Sequence, residues 1–327
     1  PVLSGNAQMR ISNLATYADL IGRPIRGALR AEASGDLALN LTEFDVVAKG
    51  SGENLAFDSP LLDRIVAGHA TFRIDAQRRD GRTTIRDAAL DTPLLTASAA
   101  GQSRGDGQAL TVSAVLRDLS VVAPQITGAA TLDGTLVELE DGQWQLESQL
   151  KGPSGIAARV FSRIAPDGQT HQATGSAPLD FAEPYIGTRS VTGLAHFDLF
   201  FDSRTGLPGL SGTVWGDHAQ IFAPKLDFAI ADGSFRADIA GGRAFLEALG
   251  QVEGGGTIRA TGPVALNAPF PARLELHLDK ARLRDPTLFD TTLTGSIVMS
   301  GPLLDGCRID GEVDLGPSVI RFPTSSL

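Results

Sequence analysis

Ser103 is the side chain of this sequence with the clearest match to a catalytic motif. It lies in GQSRG, residues 101–105, which fits the G-x-S-x-G pattern that places a serine nucleophile on a turn between a strand and a helix. Here the turn continues through Asp106-Gly107 into ALTVSAVL, an alternating segment that is typical of a second strand. Because no helix follows, the pattern predicts a hairpin loop and not the active site of a hydrolase.

Metal or phosphate chemistry would need clustered histidines, thiolates or a phosphate-binding glycine loop, and the sequence offers none of these. The single cysteine, Cys307, excludes an internal disulfide and a thiolate metal site. Gly254-Gly255-Gly256 is followed by a strand-like segment without Gly-Lys-Ser/Thr, so we expect a bulge or a strand entry there. No histidine has a metal-ligand spacing to a second ligand, and we expect ordinary structural or surface roles for His69, His171, His196, His218 and His277. The sequence predicts a protein that is not an enzyme and uses no metal or cofactor.

Composition and charge favour a protein built of many short strands. The chain has 327 residues, 42% of them hydrophobic and 20% charged, enough for two globular domains or one extended domain. Its 37 glycines and 18 prolines suit strands joined by turns better than long helices. The net charge of −10 argues against a nucleic-acid ligand. The densest basic group, Arg78, Arg79 and Arg82, flanks the turn signal Asp80-Gly81, which predicts a solvated hairpin tip.

The clearest strand pattern lies at residues 272–279, ARLELHLD. Leu274, Leu276 and Leu278 alternate there with charged residues and His277, so an extended chain would place the three leucines on one face. The same period of two recurs along the chain, with apolar members at Leu37, Leu39, Leu41, Phe72, Ile74, Leu110, Val112, Ala114, Leu116, Ala195, Phe197, Leu199, Phe201, Leu226, Phe228, Ile230, Ile297, Met299, Ile309, Val313, Leu315, Ile320 and Phe322.

Turn signals separate these segments. Asp-Gly pairs begin at Asp80, Asp106, Asp133, Asp141, Asp167, Asp232 and Asp305. Because aspartate and glycine tolerate the positive φ of a tight turn, these pairs predict hairpins and a mainly antiparallel, all-β meander.

Two short helices are expected near the N-terminus. Residues 12–21 and 59–67 carry apolar residues at helical spacing, and Ser12 and Ser59 are the expected N-caps. Pro60 falls at the first helical position of the second segment, where a missing N–H costs nothing.

An internal repeat is present in the C-terminal third. GTIRATGP, residues 256–263, aligns with GSIVMSGP, residues 295–302. We interpret the unit as a strand that is entered through glycine and left through a Gly-Pro turn. Repetition with this period favours an elongated stack of strands over a closed globule.

The apolar strand faces have two explanations. The first is a dry core between two sheets, as in a sandwich. The second is a sheet curled into a long trough whose inner face is accessible to lipid acyl chains. The residues that would line such a trough are Leu37, Leu39, Leu41, Phe72, Ile74, Phe197, Leu199, Phe201, Phe228, Ile230, Ile258, Leu274, Leu276, Leu278, Ile297, Met299, Val313 and Leu315.

The C-terminal third resembles the repeats of the TamB family, within the AsmA-like superfamily. The resemblance rests on the glycine-led strand ending in Gly-Pro at 256–263, the alternating strand after Pro271, the second glycine-led strand at 295–302, and the closing Ile-x-Phe-Pro at 320–323. Upstream, LIGRPIRGALRAEASG, residues 20–35, is similar to the helix-then-strand units of the family.

The resemblance implies a periplasmic segment of a longer protein that is anchored in the inner membrane of a Gram-negative bacterium by a helix outside this chain. It implies an elongated β groove, with residues 1–190 forming a repetitive β segment and residues 191–327 the TamB-like repeats of one continuous structure. It does not let us recognise the outermost C-terminal domain of the family in this chain.

The function implied by the resemblance is the shielding of phospholipid acyl chains during lipid transport to the outer membrane. The outer-membrane barrel TamA is an expected partner, through parts of the protein not in this chain. Two alternatives stay open: a chaperone or scaffold that templates outer-membrane protein strands by β-augmentation, and a β-solenoid adhesin.

Overall fold

The protein is all-β, as the sequence predicts. The computed structural model describes residues 2–18, 22, 24–39, 42–104, 107–122, 124, 126–139, 142–183, 190–223, 228–285, 288–303 and 306–321. Strands account for 71% of the chain and helices for 10%. All the strand pairings in the described residues are antiparallel, which confirms the predicted meander.

The chain divides into two compact units. Unit 1 consists of Pro1–Pro153 and Ala157–Pro166, and unit 2 of Ser154–Ile156 and Asp167–Leu327. The division at residue 190 and the continuity that the sequence suggests stay predictions.

Unit 1 is a series of strands in which each strand pairs with the next one along the chain. The strands are β1 Val2–Ile11, β2 Arg26–Ala38, β3 Phe44–Ala56, β4 His69–Arg79, β5 Arg82–Asp91, β6 Leu95–Arg104, β7 Gly107–Leu116, β8 Ala130–Glu138, β9 Trp144–Lys151 and β10 Ala157–Ala165.

Unit 2 follows the same plan with two additions. Most strands pair in chain order. The short strand β12 pairs with β14, as β13 also does, and β21 pairs with β19, as β20 also does. The strands are β11 Gly168–Pro178, β12 Ser190–Thr192, β13 Leu194–Asp202, β14 Leu210–Ala223, β15 Phe228–Ala240, β16 Arg243–Val252, β17 Thr257–Ala265, β18 Pro271–Asp285, β19 Phe289–Pro302, β20 Arg308–Leu315 and β21 Val319–Ile320.

The helical segments are short. The helix α1, Pro60–Ile65, begins after Ser59 with proline in its first turn, as predicted, although the Ser59 side chain makes no cap hydrogen bond. In the first predicted helix, residues 12–21, the described part contains the 3₁₀ turn Leu14–Tyr17, and residues 19–21 lie outside the described residues. The cap of this turn is Asn13 instead of Ser12, because the Asn13 side chain accepts from the Ala15 N–H at 3.1 Å. Further 3₁₀ turns are Leu119–Val121, Pro153–Gly155, Leu179–Ala182, Ser203–Thr205 and Leu207–Gly209.

Several predicted hairpins are present. Asp80-Gly81 joins β4 to β5, and both residues have the positive φ that such a turn needs. Residues 101–104 of the G-x-S-x-G segment form the end of β6, and Arg104 pairs with Gly107 at the start of β7, which confirms the hairpin, while Gly105 lies outside the described residues. The glycine triple forms the turn that enters β17, also as predicted. Asp106, Asp141 and Asp305 lie outside the described residues.

Two of the Asp-Gly pairs are not turns, and the prediction is wrong for them. Asp133-Gly134 lies inside β8, where the Asp133 carboxylate accepts a hydrogen bond from the Ser113 hydroxyl at 2.8 Å. Asp232-Gly233 lies inside β15 next to a β-bulge. A Cβ at position 134 would collide with the Glu147 carbonyl, so glycine serves close strand approach here and not chain reversal.

Gly262 and Gly295 of the repeat have a different role from the predicted one, whereas Gly256 directly precedes β17, as predicted. Gly262-Pro263 lies inside β17 and Gly295 inside β19, so neither marks the end of a strand, whereas Pro302 does end β19. Gly262 has φ +143° and Gly295 φ +151°, and a Cβ at either position would collide with a carbonyl oxygen of the neighbouring strand. Glycine inside a strand is typical of a tight bend. Gly262 and Gly295 therefore mark mid-strand bends.

A β-bulge keeps the longest strand in phase with its neighbours. In β18 the register shifts between Leu278 and Ala281, with Lys280 at positive φ, so that Ala281 returns to the same face as Leu278. Leu278 and Ala281 form a buried cluster with Val252 of β16, and Ile258, Leu293 and Val313 pack against it. The cluster joins strands β16 to β20 along one face.

Candidate functional site

One face of unit 2 is apolar across all its long strands. Cross-strand partners point to the same side of a sheet, so the pairs Ile258↔Leu278, Ala260↔Leu276 and Leu276↔Ile297 place these residues on one face. The same register places further residues of the neighbouring strands, such as Leu246, Phe197 and Val313, on this side of the sheet. We call all the residues on this side the unit 2 apolar face. Among the described residues, its ionisable side chains are His171 in β11 and Asp285 at the end of β18.

Unit 1 has a corresponding apolar face. Phe72 and Ile74 pair with Gly50 and Ala48 on one side and with Leu90 and Ala88 on the other. Following this register through the described side chains of β1 to β10 gives the unit 1 apolar face. Its charged members there are Arg78 and Glu138, each at or next to the end of its strand.

Most of the larger side chains on these faces are half-buried, and a small buried cluster lies on the unit 2 apolar face. No large side chain among the described residues is less than 2% exposed, although Leu274 and Leu278 are buried at 6%. The accessible surface is 19783 Å² for a 34.2 kDa chain. A compact protein of this mass exposes about 13,000 Å², and two compact halves about 15,500 Å² together. The values favour the trough explanation over a dry sandwich core.

Most of the residues predicted to line the trough lie on these faces. Unit 1 contributes Leu37, Phe72 and Ile74. Unit 2 contributes Phe197, Leu199, Phe201, Ile230, Ile258, Leu274, Leu276, Leu278, Ile297, Met299, Val313 and Leu315. Leu39 lies in the turn after β2 and is 58% exposed. Leu41 lies outside the described residues, and Phe228 belongs to β15, but its side chain is not described. That these residues contact lipid stays a prediction.

The register adds residues that the sequence pattern did not reveal. Val214 of β14, Phe235 and Ile239 of β15, and Leu246 of β16 lie on the unit 2 apolar face. In β15 the phase of the alternation changes at the bulge, and in β14 at Asp217-His218, so a strict period of two fails there. A search that allowed one phase shift per strand would have found them.

The opposite faces carry the charged side chains, and many are paired across strands. Arg86 donates to Asp75 at 2.6 Å and also pairs with Asp45. Arg282 of β18 pairs with Asp290 of β19 at 2.7 Å, and within β15 Arg236 pairs with Asp238 at 2.7 Å. These exposed pairs are worth little in stability individually, but they fix long side chains to one side of the sheet.

The histidines have ordinary structural surroundings. His196 stacks on Trp215 with ring centroids 5.9 Å apart, and His277 lies 2.8 Å from the Ser296 hydroxyl. Both are on the charged face, as predicted. Within the described residues there is no group of three or more residues able to hold a metal ion, and no helix is long and apolar enough to cross a bilayer.

Asp202 provides a pH-dependent contact at the end of β13. Hydrogen bonds from the Arg204 side chain, 2.6 Å away, and from the Arg204 N–H lower the pKa of Asp202 to about 2. Because the folded pKa is below the ordinary aspartate value, the contact stabilises fully above about pH 4 and is lost as the pH falls through about 2. We expect Arg204→Gln to raise the pKa of Asp202 towards 3.8, measured by carboxyl NMR titration. An unchanged pKa in this variant would contradict the assignment, and Arg243→Gln is the control.

Comparison with known proteins gives one finding. Residues 247–326 match the family model of the TamB C-terminal domain. No curated protein and no solved structure matches the chain significantly. The match covers β17 to β21 and agrees with the resemblance seen in the repeats. The expectation that the C-terminal domain of the family is not recognisable in this chain is therefore wrong for these residues.

Proposed function

Residues 247–326 make this chain a TamB-family fragment, and on that premise we propose that its apolar faces shield phospholipid acyl chains during transport from the inner to the outer membrane. The family is one of bacterial envelope proteins and suggests a role in the assembly of the outer membrane. A periplasmic location and an anchor in the inner membrane are parts of the proposal.

The observation that carries the proposal is the continuous apolar face of unit 2, on which most of the larger side chains are only half-buried. Moving a phospholipid through water exposes its acyl chains at about 0.8 kcal/mol per CH₂. Strands about 4.8 Å apart, each presenting apolar side chains to the same side, offer such chains an almost continuous path. A monomeric soluble protein rarely leaves so extended an apolar surface without a partner.

The residue types on the face suit fluid chains better than a ligand of fixed shape. The face is built mainly of leucine, isoleucine, valine, alanine and glycine, and aromatic residues are 6% of the sequence. The charged side chains lie on the other side of the sheet, so an acyl chain on the apolar face meets few of them. We therefore propose a structural conduit, and not an enzyme.

Lipid mass spectrometry tests this proposal. The chain, purified without detergent from a Gram-negative host, is expected to carry phospholipid. The matched measurement is circular dichroism, which reports whether the strands are formed. A chain with intact β structure and no bound phospholipid would contradict the conduit.

A second candidate, the templating of outer-membrane protein strands, stays a proposal as well. Strand addition would use a strand with few charged residues, and Arg10 is the single charged residue of β1, which pairs with β2. Site-specific crosslinking from Ser4 to an unfolded barrel protein tests it, with Asp36 of β2 as the control position. Equal crosslinking at both positions would argue against templating.

A contact with TamA stays a proposal as well. Because the matched C-terminal domain lies within this chain, the contact is testable with the chain itself. Co-purification with TamA, compared between the full chain and a chain ending at residue 246, is the measurement.

A further inference from the structure

A cluster of three arginines lies at one end of unit 2, where β18, β19 and β21 meet. Arg282 and Arg284 are on β18, and Arg321 directly follows β21. The Arg321 N–H donates to the Leu288 carbonyl at 2.8 Å, which places Arg321 beside the start of β19. All three are close to one carboxylate, Asp290.

Asp290 does not balance the three charges. Its oxygens accept from Arg282 at 2.7 and 3.0 Å, and this bidentate pair, together with the charges of Arg284 and Arg321, lowers the pKa of Asp290. Within the part of the chain that is described, the Asp290 carboxylate is thus hydrogen-bonded by the Arg282 guanidinium alone. Arg284 and Arg321 have no ion pair among the described residues.

Arg321 has an unsatisfied donor. Its Nη1 atom is buried and has no hydrogen-bond partner in the described part of the chain. A buried guanidinium N–H without an acceptor destabilises the protein more than a paired one. The binding of an anion that accepts this hydrogen bond is therefore favourable. Phosphate is the anion group whose oxygens match the planar donors of arginine best.

A cavity adjoins the cluster. It has a volume of about 210 Å³, and Arg282 and Arg284 line it together with Phe222, Ala229, Glu253 and Gly254. Glu253 is the one acidic residue in this lining, against two arginines. The cavity therefore offers space next to the two β18 guanidiniums.

The cluster also borders the unit 2 apolar face. Leu283, between Arg282 and Arg284, points to that face, and Ile320, which precedes Arg321, pairs with Phe289 on the same side. At this end of the strands, neighbouring residues alternate between cationic and apolar. By the same alternation Arg282 and Arg284 point to the opposite, charged side of the sheet. We propose that Arg282, Arg284 and Arg321 bind a phosphate group on that side, either free or as the headgroup of a phospholipid that reaches this end of the unit 2 apolar face. The headgroup assignment rests on the proposed function, whereas the anion site does not.

Titration of the purified chain with inorganic phosphate tests the anion site. Arg284→Gln and Arg321→Gln are each expected to weaken phosphate binding about tenfold, since each removes a charge-assisted hydrogen bond. Arg273→Gln removes an exposed arginine from the same strand and is expected to bind like the parent. No binding by the parent chain, or equal binding by all variants, would overturn the site.

Lipid competition tests the headgroup. The parent chain is loaded from an equimolar mixture of phosphatidylglycerol and a diacylglycerol with the same acyl chains, and the bound ratio is measured by mass spectrometry. We expect a preference for phosphatidylglycerol that Arg284→Gln abolishes while diacylglycerol is still bound. Bound lipid without preference would overturn the headgroup assignment alone. A failure to bind either lipid would overturn the conduit, and the phosphate titration would still decide the anion site.

Discussion

Replacing Leu276 by arginine is expected to abolish lipid loading of the chain while its strands still form. Leu276 is half-buried in the middle of β18, between Ala260 and Ile297 on the unit 2 apolar face. A guanidinium at this position would be stabilised only by water or by an anion. An acyl chain lying over it would displace both, so binding of the chain would be unfavourable. We expect at least a tenfold loss of bound phospholipid, measured by mass spectrometry.

The matched control is Glu275→Arg. Glu275 is the preceding residue of the same strand, is exposed, and points to the charged face. The variant introduces the same side chain on the other side of the sheet, so lipid loading should be unchanged. Circular dichroism must show intact strands in both variants. Normal loading of Leu276→Arg would mean that this face does not contact lipid.

Gly262→Val is expected to destabilise unit 2 by about 3 kcal/mol. Gly262 combines φ +143° with a backbone so close to β18 that a Cβ would collide with the Arg273 carbonyl. Valine would therefore have to distort both the backbone of β17 and its pairing with β18. The measurement is urea unfolding followed by circular dichroism.

Thr261→Val serves as the comparison for this variant. It places the same side chain at the preceding position of β17, where the backbone has no positive φ. A shift below about 1 kcal/mol is expected for it, as for other changes that leave the backbone conformation intact. If the two variants unfolded at the same urea concentration, the mid-strand bend would not depend on glycine.

The strands could be predicted from the sequence where alternation is strict. Leu274, Leu276 and Leu278 are separated by charged or polar residues, so β18 and its buried face follow from the period of two alone. The turn at Asp80-Gly81 was also predictable, because both of its residues suit positive φ.

Other parts of the fold depend on contacts that local sequence does not contain. Asp133-Gly134 has the composition of a turn, yet β7 and β9 on both sides hold it in an extended strand. Whether a glycine ends a strand or bends it is decided by the distance to the neighbouring strand, as at Gly262. The arginine cluster joins residues from β18 and from the end of β21, and no local pattern indicates that they meet.

The pairing of each strand with a near neighbour in the chain has a consequence for the way the protein folds. In unit 1 each strand pairs with the next strand of the chain, so closing the loop between them costs little conformational entropy. A fold with such a low contact order is expected to form fast. Repeat proteins with nearest-neighbour contacts can begin folding at one position and extend from it. A chain of this kind can add strands in the order in which they are synthesised, so that each new apolar strand joins the sheet soon after it reaches water.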